Sequence, residues 1–202
     1  MSSWEERPYF SIETLLGSIP GENGEGCRQM LFDNRALFQT VRGSTHNHQY
    51  WPGGYFDHVQ EGLNITFYKY DWMNAVRPLP FRLGDAIMIF YLHDCEKPWK
   101  YELGADGQWR HRPEFKTKAD DHTFRAKKIA EYGIKLNPYQ ENALLYVEGE
   151  MGDYSSQRRV MNELAGFCHG VDVDSARVWP HHPLAKSDPW RGARRVRDAV
   201  SA

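Results

Sequence analysis

Apolar residues recur along most of the chain at the three- and four-residue spacing that is typical of amphipathic helices. The first such segment, residues 27–41, predicts a helix, and the Gly- and Pro-rich residues 18–26 before it are typical of a loop. A Pro-Gly-Gly breaker then precedes residues 55–76, which predict a long amphipathic helix ended by RPLP. A third helix is predicted over residues 82–97, and its almost wholly apolar part, 86–92, indicates burial on most sides.

The second half of the chain changes pattern once before it returns to helices. Residues 98–113 contain a Gly-Ala-Asp-Gly turn between two short alternating runs, which favours a small hairpin or a long loop. Further helices are predicted over about 118–132, from Asn137 with Pro138 in the first turn, and over 155–179. The pattern therefore predicts an all-α domain of about six helices with a small hairpin insert.

Composition narrows the class of protein. The 202 residues suit a single domain (1–202), with its core over about 27–179 and a polar, basic and peripheral tail over 180–202. The net charge of −2 argues against a dedicated binder of duplex DNA, and no apolar run is long enough for a membrane span. Three widely spaced cysteines, Cys27, Cys95 and Cys168, favour reduced thiols, so we expect a cytoplasmic protein.

Ionisable residues interrupt the apolar faces of three predicted helices. His93 and Asp94 stand at the inner end of the most apolar helix, Asp172 lies on the apolar face of the last, and His58 lies on the second. Burying an unpaired carboxylate costs several kcal/mol, and a divalent cation offsets this cost because imidazole and carboxylate are both good ligands. Each residue alone is more often a hydrogen-bonded core residue, and Asp172 could pair with an arginine. The occurrence of all four residues on helices that are expected to pack together favours a metal site.

These motifs resemble a known family. GGYFDH ending at His58, LHDCEK carrying His93 and Asp94, and the distal Asp172 are similar to the HD superfamily of metal-dependent phosphohydrolases, over roughly residues 45–179. The closest likeness is to small phage-encoded or exoribonuclease-type members. The resemblance implies an HD-like helical bundle in which these four residues bind a divalent metal (Mn, Fe, Co, Ni, Zn or Mg), with one ion expected and two as the alternative.

The resemblance also implies catalytic residues. Lys97 matches a lysine that contacts phosphate in several HD phosphodiesterases, whereas some HD nucleotidases have an acid–base glutamate there; here the glutamate is Glu96, one residue earlier. His122 takes about the place of a further histidine of dinuclear members, as a phosphate contact, a second-metal ligand or merely a solvated helix residue. Dinuclear members have a second further histidine, and at that position this chain has Glu148, which argues against a dinuclear centre.

Substrate contacts are expected from the hairpin and are less specific. Trp109, Arg110 and Arg112 could stack on a base and bind phosphates, with Glu148 as a further contact, or the aromatic residues could form the hairpin's own small core. The partner is expected to be a nucleotide or a short nucleic acid, without a membrane or stable duplex-DNA binding. Homo-oligomerisation stays open.

Three functions stand on this evidence. The first is hydrolysis of a nucleoside mono- or triphosphate by metal-activated water. The second is a phosphodiesterase or nuclease that acts on cyclic nucleotides or short single-stranded nucleic acid, and the third is a catalytically inactive, nucleotide-binding HD fold. The HDxxK motif favours the second and the small single domain favours the first. We expect an enzyme, because four buried charges without their metal would be destabilising.

Overall fold

The computed structural model describes residues 7–200, apart from the side chains of residues 151, 199 and 200. The described chain is mostly helical, which confirms the predicted class. The helices are α1 (Ile12–Leu16), α2 (Gly21–Phe38), α3 (Gly54–Val76), α4 (Leu83–Leu92), α5 (Lys97–Lys100), α6 (Lys118–Glu131), α7 (Pro138–Tyr146), α8 (Glu163–Val173) and α9 (Val196–Val200). The predicted hairpin is present as the antiparallel strands β1 (Tyr101–Leu103) and β2 (Trp109–His111). A 3₁₀ turn (Met151–Asp153) precedes α8, and a π-helical turn (Asp174–Val178) extends it.

The predicted loop over residues 18–26 is wrong beyond residue 20, because α2 begins at Gly21. Gly21 has a φ of 64°, and the two later glycines serve close packing. A Cβ on Gly24 would lie 2.1 Å from the carbonyl oxygen of Ile19, and one on Gly26 would lie 2.4 Å from that of Tyr132. Composition alone does not separate these two uses of glycine.

Two predicted helices are longer than the observed ones. The third ends at Leu92 instead of residue 97, and α5 then begins at Lys97. Pro98 lies in the first turn of α5, where its missing N–H has no helical acceptor to lose, so it favours a new helix start. The last helix begins at Glu163 instead of residue 155, where the side chain of Asn162 accepts a hydrogen bond from the Ala165 N–H (2.8 Å).

The core lies where α3, α4 and α8 pack together. As predicted, residues 86–92 are buried throughout. The approach of α3 to α4 depends on Gly62, because a Cβ there would lie 2.0 Å from the ring of Phe90. On the other side of α4, the Cys168 thiol contacts the carbonyl oxygen of Ala86 at 3.7 Å. This packing brings polar residues near the ends of the three helices to one place.

The C-terminal segment is less peripheral than predicted. Ala193 is buried, and the Val196 N–H donates to Asp57 at the start of α3 (2.8 Å). The indole of Trp190 donates to the carbonyl oxygen of Arg7. Residues 180–200 therefore pack on the helical domain. Within residues 7–200, none of the helices has the length and apolarity that a membrane crossing requires.

Candidate metal centre

The start of α3 places His58, and two glycines allow that start. Gly53 has a φ of 85°, a conformation that glycine adopts without strain. A Cβ on Gly54 would lie 1.8 Å from the carbonyl oxygen of Gln49, so only glycine allows the preceding loop to lie against the helix. His58, one turn further on, is completely buried. The glycines of the Pro-Gly-Gly segment thus allow the close packing that positions the candidate ligand His58.

Three of the four predicted ligands form one compact group. His58, His93 at the end of α4 and Asp172 in the last turn of α8 each offer one ligand atom within 4.8 Å of the others. The Asp172 Oδ1 atom lies 3.3 Å from Nε2 of His58 and 3.5 Å from Nε2 of His93. The fourth, Asp94, is adjacent, since its Oδ2 atom lies 3.1 Å from Nε2 of His93 and 3.7 Å from that of His58.

Hydrogen bonds on the far side of each ring orient the two histidines. The Nδ1 atom of His93 lies 2.6 Å from the carbonyl oxygen of Phe90, which can only accept, so Nδ1 carries the proton. His58 Nδ1 lies 3.1 Å from the hydroxyl of Ser175, and that hydroxyl donates to Glu61 Oε2 (3.1 Å), so it must accept from His58. Both Nε2 lone pairs therefore point toward Asp172.

The surroundings of the two Nε2 atoms test whether these residues fit a metal ion. Both are buried, and neither forms a well-aligned hydrogen bond with any residue that the structure describes, although carboxylate oxygens lie 3.1 Å from His93 Nε2 and 3.3 Å from His58 Nε2. A buried polar atom without a partner is costly and calls for an explanation, such as an ion. Two imidazole nitrogens and a carboxylate oxygen form a donor set that suits a divalent first-row metal. The residues therefore fit a metal ion.

The two carboxylates of the centre stay ionised although they are buried. Burial alone would raise the pKa values of Asp94 and Asp172, but the neighbouring histidines, and for Asp94 also the Lys97 ammonium, hold both well below their ordinary values. Burial alone would lower the pKa of His93, yet the two carboxylates raise it to about 10. The pKa of His58 is lowered, chiefly by burial. Without a cation, a proton on His93 neutralises part of the carboxylate charge.

Lys97 lies at the edge of this group, as predicted. Its ammonium forms an ion pair with the Asp94 Oδ2 atom, and Asp94 raises the lysine pKa further above its ordinary value despite burial. Asp172 lies on the open side of the centre, because 22% of its side chain is exposed to solvent, whereas the side chain of Asp94 is almost fully buried. A ligand would therefore approach from the side of Asp172.

Comparison with protein-family models, with curated proteins and with solved structures finds no match to this chain. What the centre does is therefore argued from its own residues. The resemblance to HD phosphohydrolases rests on the motifs that carry these side chains.

Two predicted catalytic residues do not join the group. Glu96 is buried and accepts a hydrogen bond from Arg125 Nε at 2.9 Å, an ion pair between α6 and the segment before α5. His122 lies beside Arg125 in a small depression between α6 and α7, where burial lowers its pKa. Among the residues that the structure describes, His122 belongs to no group that could hold a metal.

The four predicted substrate-binding residues are likewise engaged elsewhere. Arg110 pairs with Asp106 within the hairpin, and Arg112 pairs with Glu102 across the two strands at 3.6 Å. The guanidinium of Arg42 lies 5.7 Å from the ring of Trp109. Glu148 pairs with Lys118 at 2.7 Å. Trp109 thus packs on the helical domain through Arg42, and the role of these four residues in substrate binding stays a prediction.

Sequence reasoning missed several residues around His58. The ring of His48 lies 4.9 Å from that of His58, and its Nδ1 atom pairs with Gln49 Oε1 at 2.7 Å. Burial, followed by the charges of His58 and Lys97, lowers the pKa of His48 to about 4. Glu61 could have been found, because it lies one turn after His58 on the same helix face.

Proposed function

We propose that this protein is a metal-dependent phosphohydrolase of the HD type that hydrolyses a nucleoside mono- or triphosphate. The observation that supports it best is the pair of buried, unpartnered Nε2 atoms of His58 and His93 on either side of Asp172. Nε2 of His122 also lacks a partner, but within the described part of the chain only this centre has two such nitrogens beside a shared carboxylate. Here each ring uses one nitrogen for orientation and keeps the other lone pair for a ligand, as metal-binding histidines do.

A divalent cation bound by these residues would lower the pKa of a water molecule and neutralise charge on the phosphoryl oxygens. The chain's own groups then have separate tasks. Asp94 and Asp172 supply the negative charge that retains a cation, and Lys97, beside Asp94, is within reach of a phosphoryl oxygen that enters past Asp172. With three buried free cysteines, we place the enzyme in the cytoplasm.

A second candidate function is supported by Lys97. A fixed ammonium beside the metal ligands suits a phosphodiester, whose single negative charge it balances. The protein would then act on cyclic nucleotides or short single-stranded nucleic acid. The third possibility, a catalytically inactive nucleotide-binding protein, remains an outcome of the same assay.

The decisive experiment combines metal analysis with a substrate panel. Elemental analysis of the purified protein precedes assays with Mn²⁺, or with chelator, on nucleoside mono- and triphosphates, dinucleotides and cyclic nucleotides. Turnover of nucleotides alone supports the first function, and turnover of diesters alone supports the second. Metal without turnover supports the third.

The matched variants are His58→Ala and His93→Ala, with His111→Ala as the control, because His111 is exposed on β2. We expect the first two to lose metal and turnover and the control to keep both. Full metal content in both variants that lack a cluster histidine would overturn the proposal.

A further inference from the structure

A second cavity, of about 580 Å³, lies beside α3, the π-helical turn after α8 and the C-terminal segment. Four aromatic side chains line it, namely Tyr68, Trp72, Trp179 and Trp190. Trp72 is 63% exposed, so its ring is accessible to a ligand in the cavity. The volume falls within the range typical of small-molecule sites.

One carboxylate in the wall of this cavity has no counter-charge. Glu61 is only 3% exposed and forms no ion pair with any residue that the structure describes. Its Oε2 atom accepts hydrogen bonds from Gln49 Nε2 (3.0 Å) and from the Ser175 hydroxyl (3.1 Å). Its Oε1 atom accepts none from residues 7–200. Burial raises the pKa of Glu61 to about 8, which reflects the cost of this uncompensated charge.

The other charged groups of the cavity are already engaged. Lys69 donates to Asp174 at 2.8 Å. The carboxylate of Asp188 accepts hydrogen bonds from the backbone N–H groups of Leu184 and Trp190. At the mouth, the guanidinium of Arg7 lies over the ring of Tyr68, 5.4 Å from its centre. Glu61 is therefore the carboxyl group of the wall that has no charged partner among the described residues, and it is ionised above about pH 8.

We propose that this cavity binds a small organic cation, a quaternary or protonated amine whose charged group contacts the aromatic faces and Glu61. Aromatic rings attract cations through their quadrupole, most strongly when water is excluded, and a buried carboxylate adds a direct counter-charge. A cation favours the ionised form of Glu61, whereas an anion would be repelled by that form. The site is separate from the metal centre and does not depend on the proposed hydrolase activity.

The test compares choline with its neutral isostere 3,3-dimethylbutan-1-ol on the full chain. Tryptophan fluorescence and calorimetry are measured in chelator at pH 9, above the pKa of Glu61. We expect choline to bind about tenfold more tightly than the alcohol. In the Glu61→Gln variant the ratio of the affinity for choline to that for the alcohol should fall to nearly one. The control Asp71→Asn removes an exposed carboxylate from the same helix and should keep the preference.

A second variant covers the case in which Glu61→Gln fails to fold. Trp72→Ala changes a mostly exposed residue and should fold normally while weakening choline binding several-fold. Equal binding of choline and the alcohol would overturn the proposal in favour of an apolar pocket. Absence of choline binding, or unchanged choline binding in both variants, would also overturn it.

Discussion

The Nε2 atom of His58 on α3 and the Oδ1 atom of Asp172 on α8 lie 3.3 Å apart, although most of the chain separates the two residues. The same oxygen lies 3.5 Å from Nε2 of His93. The predicted metal site requires four side chains to lie together, and the fourth, Asp94, has its Oδ2 atom 3.1 Å from Nε2 of His93. The consequences can be tested at residues around this point.

Ser175→Ala should weaken metal binding without removing a ligand. The Ser175 hydroxyl accepts a hydrogen bond from the Nδ1–H group of His58 and so keeps the Nε2 lone pair directed toward Asp172. Loss of such a supporting hydrogen bond typically costs about 10- to 100-fold in metal affinity. Titration with Mn²⁺ measures the change, and Ser155→Ala, at an exposed turn, is the control. An unchanged affinity would show that His58 needs no support from Ser175.

Lys97→Met should lower turnover by about tenfold or more while sparing the bound metal, because it removes a cation that faces the phosphoryl group. Lys116→Met, at an exposed position, is the control. Both variants are assayed for turnover and for metal content. If Lys97→Met loses its metal instead, the role of Lys97 is to hold Asp94 in place through their ion pair.

Glu96→Gln should destabilise the fold by about 3–5 kcal/mol, since it leaves the Arg125 guanidinium buried without its counter-charge. Denaturant unfolding measures this effect. The double variant Glu96→Gln/Arg125→Met removes both charges and should recover part of the loss. Normal stability with lost turnover in the single variant would return Glu96 to a catalytic role.

The free energy of unfolding should fall as the pH rises through the range in which Glu61 ionises. The pKa of Glu61 is raised from its ordinary value of 4.5 to about 8, chiefly by burial. The folded protein thus keeps a proton that the unfolded chain releases, so this contribution is complete below pH 4.5, declines up to about pH 8 and is then lost.

Unfolding of chelator-treated protein at several pH values between 5 and 9 measures this slope. Glu61→Gln should show a shallower decline than the wild type. Part of the decline should persist in the variant, because burial also raises the pKa of Asp57, to about 7. Identical slopes in the two proteins would contradict the raised pKa of Glu61.

The sequence predicted those helices whose pattern of apolar residues is explained by burial alone. The apolar run 86–92 could only be a buried helix, and the charges that follow it stood out against it. The start of α2 was missed because glycines that allow close packing look like loop glycines. The ion pair of Glu96 was not predicted because its partner, Arg125, comes from a distant helix. Periodicity shows which face of a helix is buried but not which residue lies opposite.

The hydrogen-bond chain from His58 through Ser175 to Glu61 ends in the wall of the aromatic cavity. If a metal ion and an organic cation bind at the two proposed sites, their binding equilibria form a closed thermodynamic cycle. Whatever factor an organic cation imposes on the dissociation constant of the metal, the metal must impose on that of the organic cation. In this arrangement a metabolite that never touches phosphate could set the fraction of molecules that carry their metal.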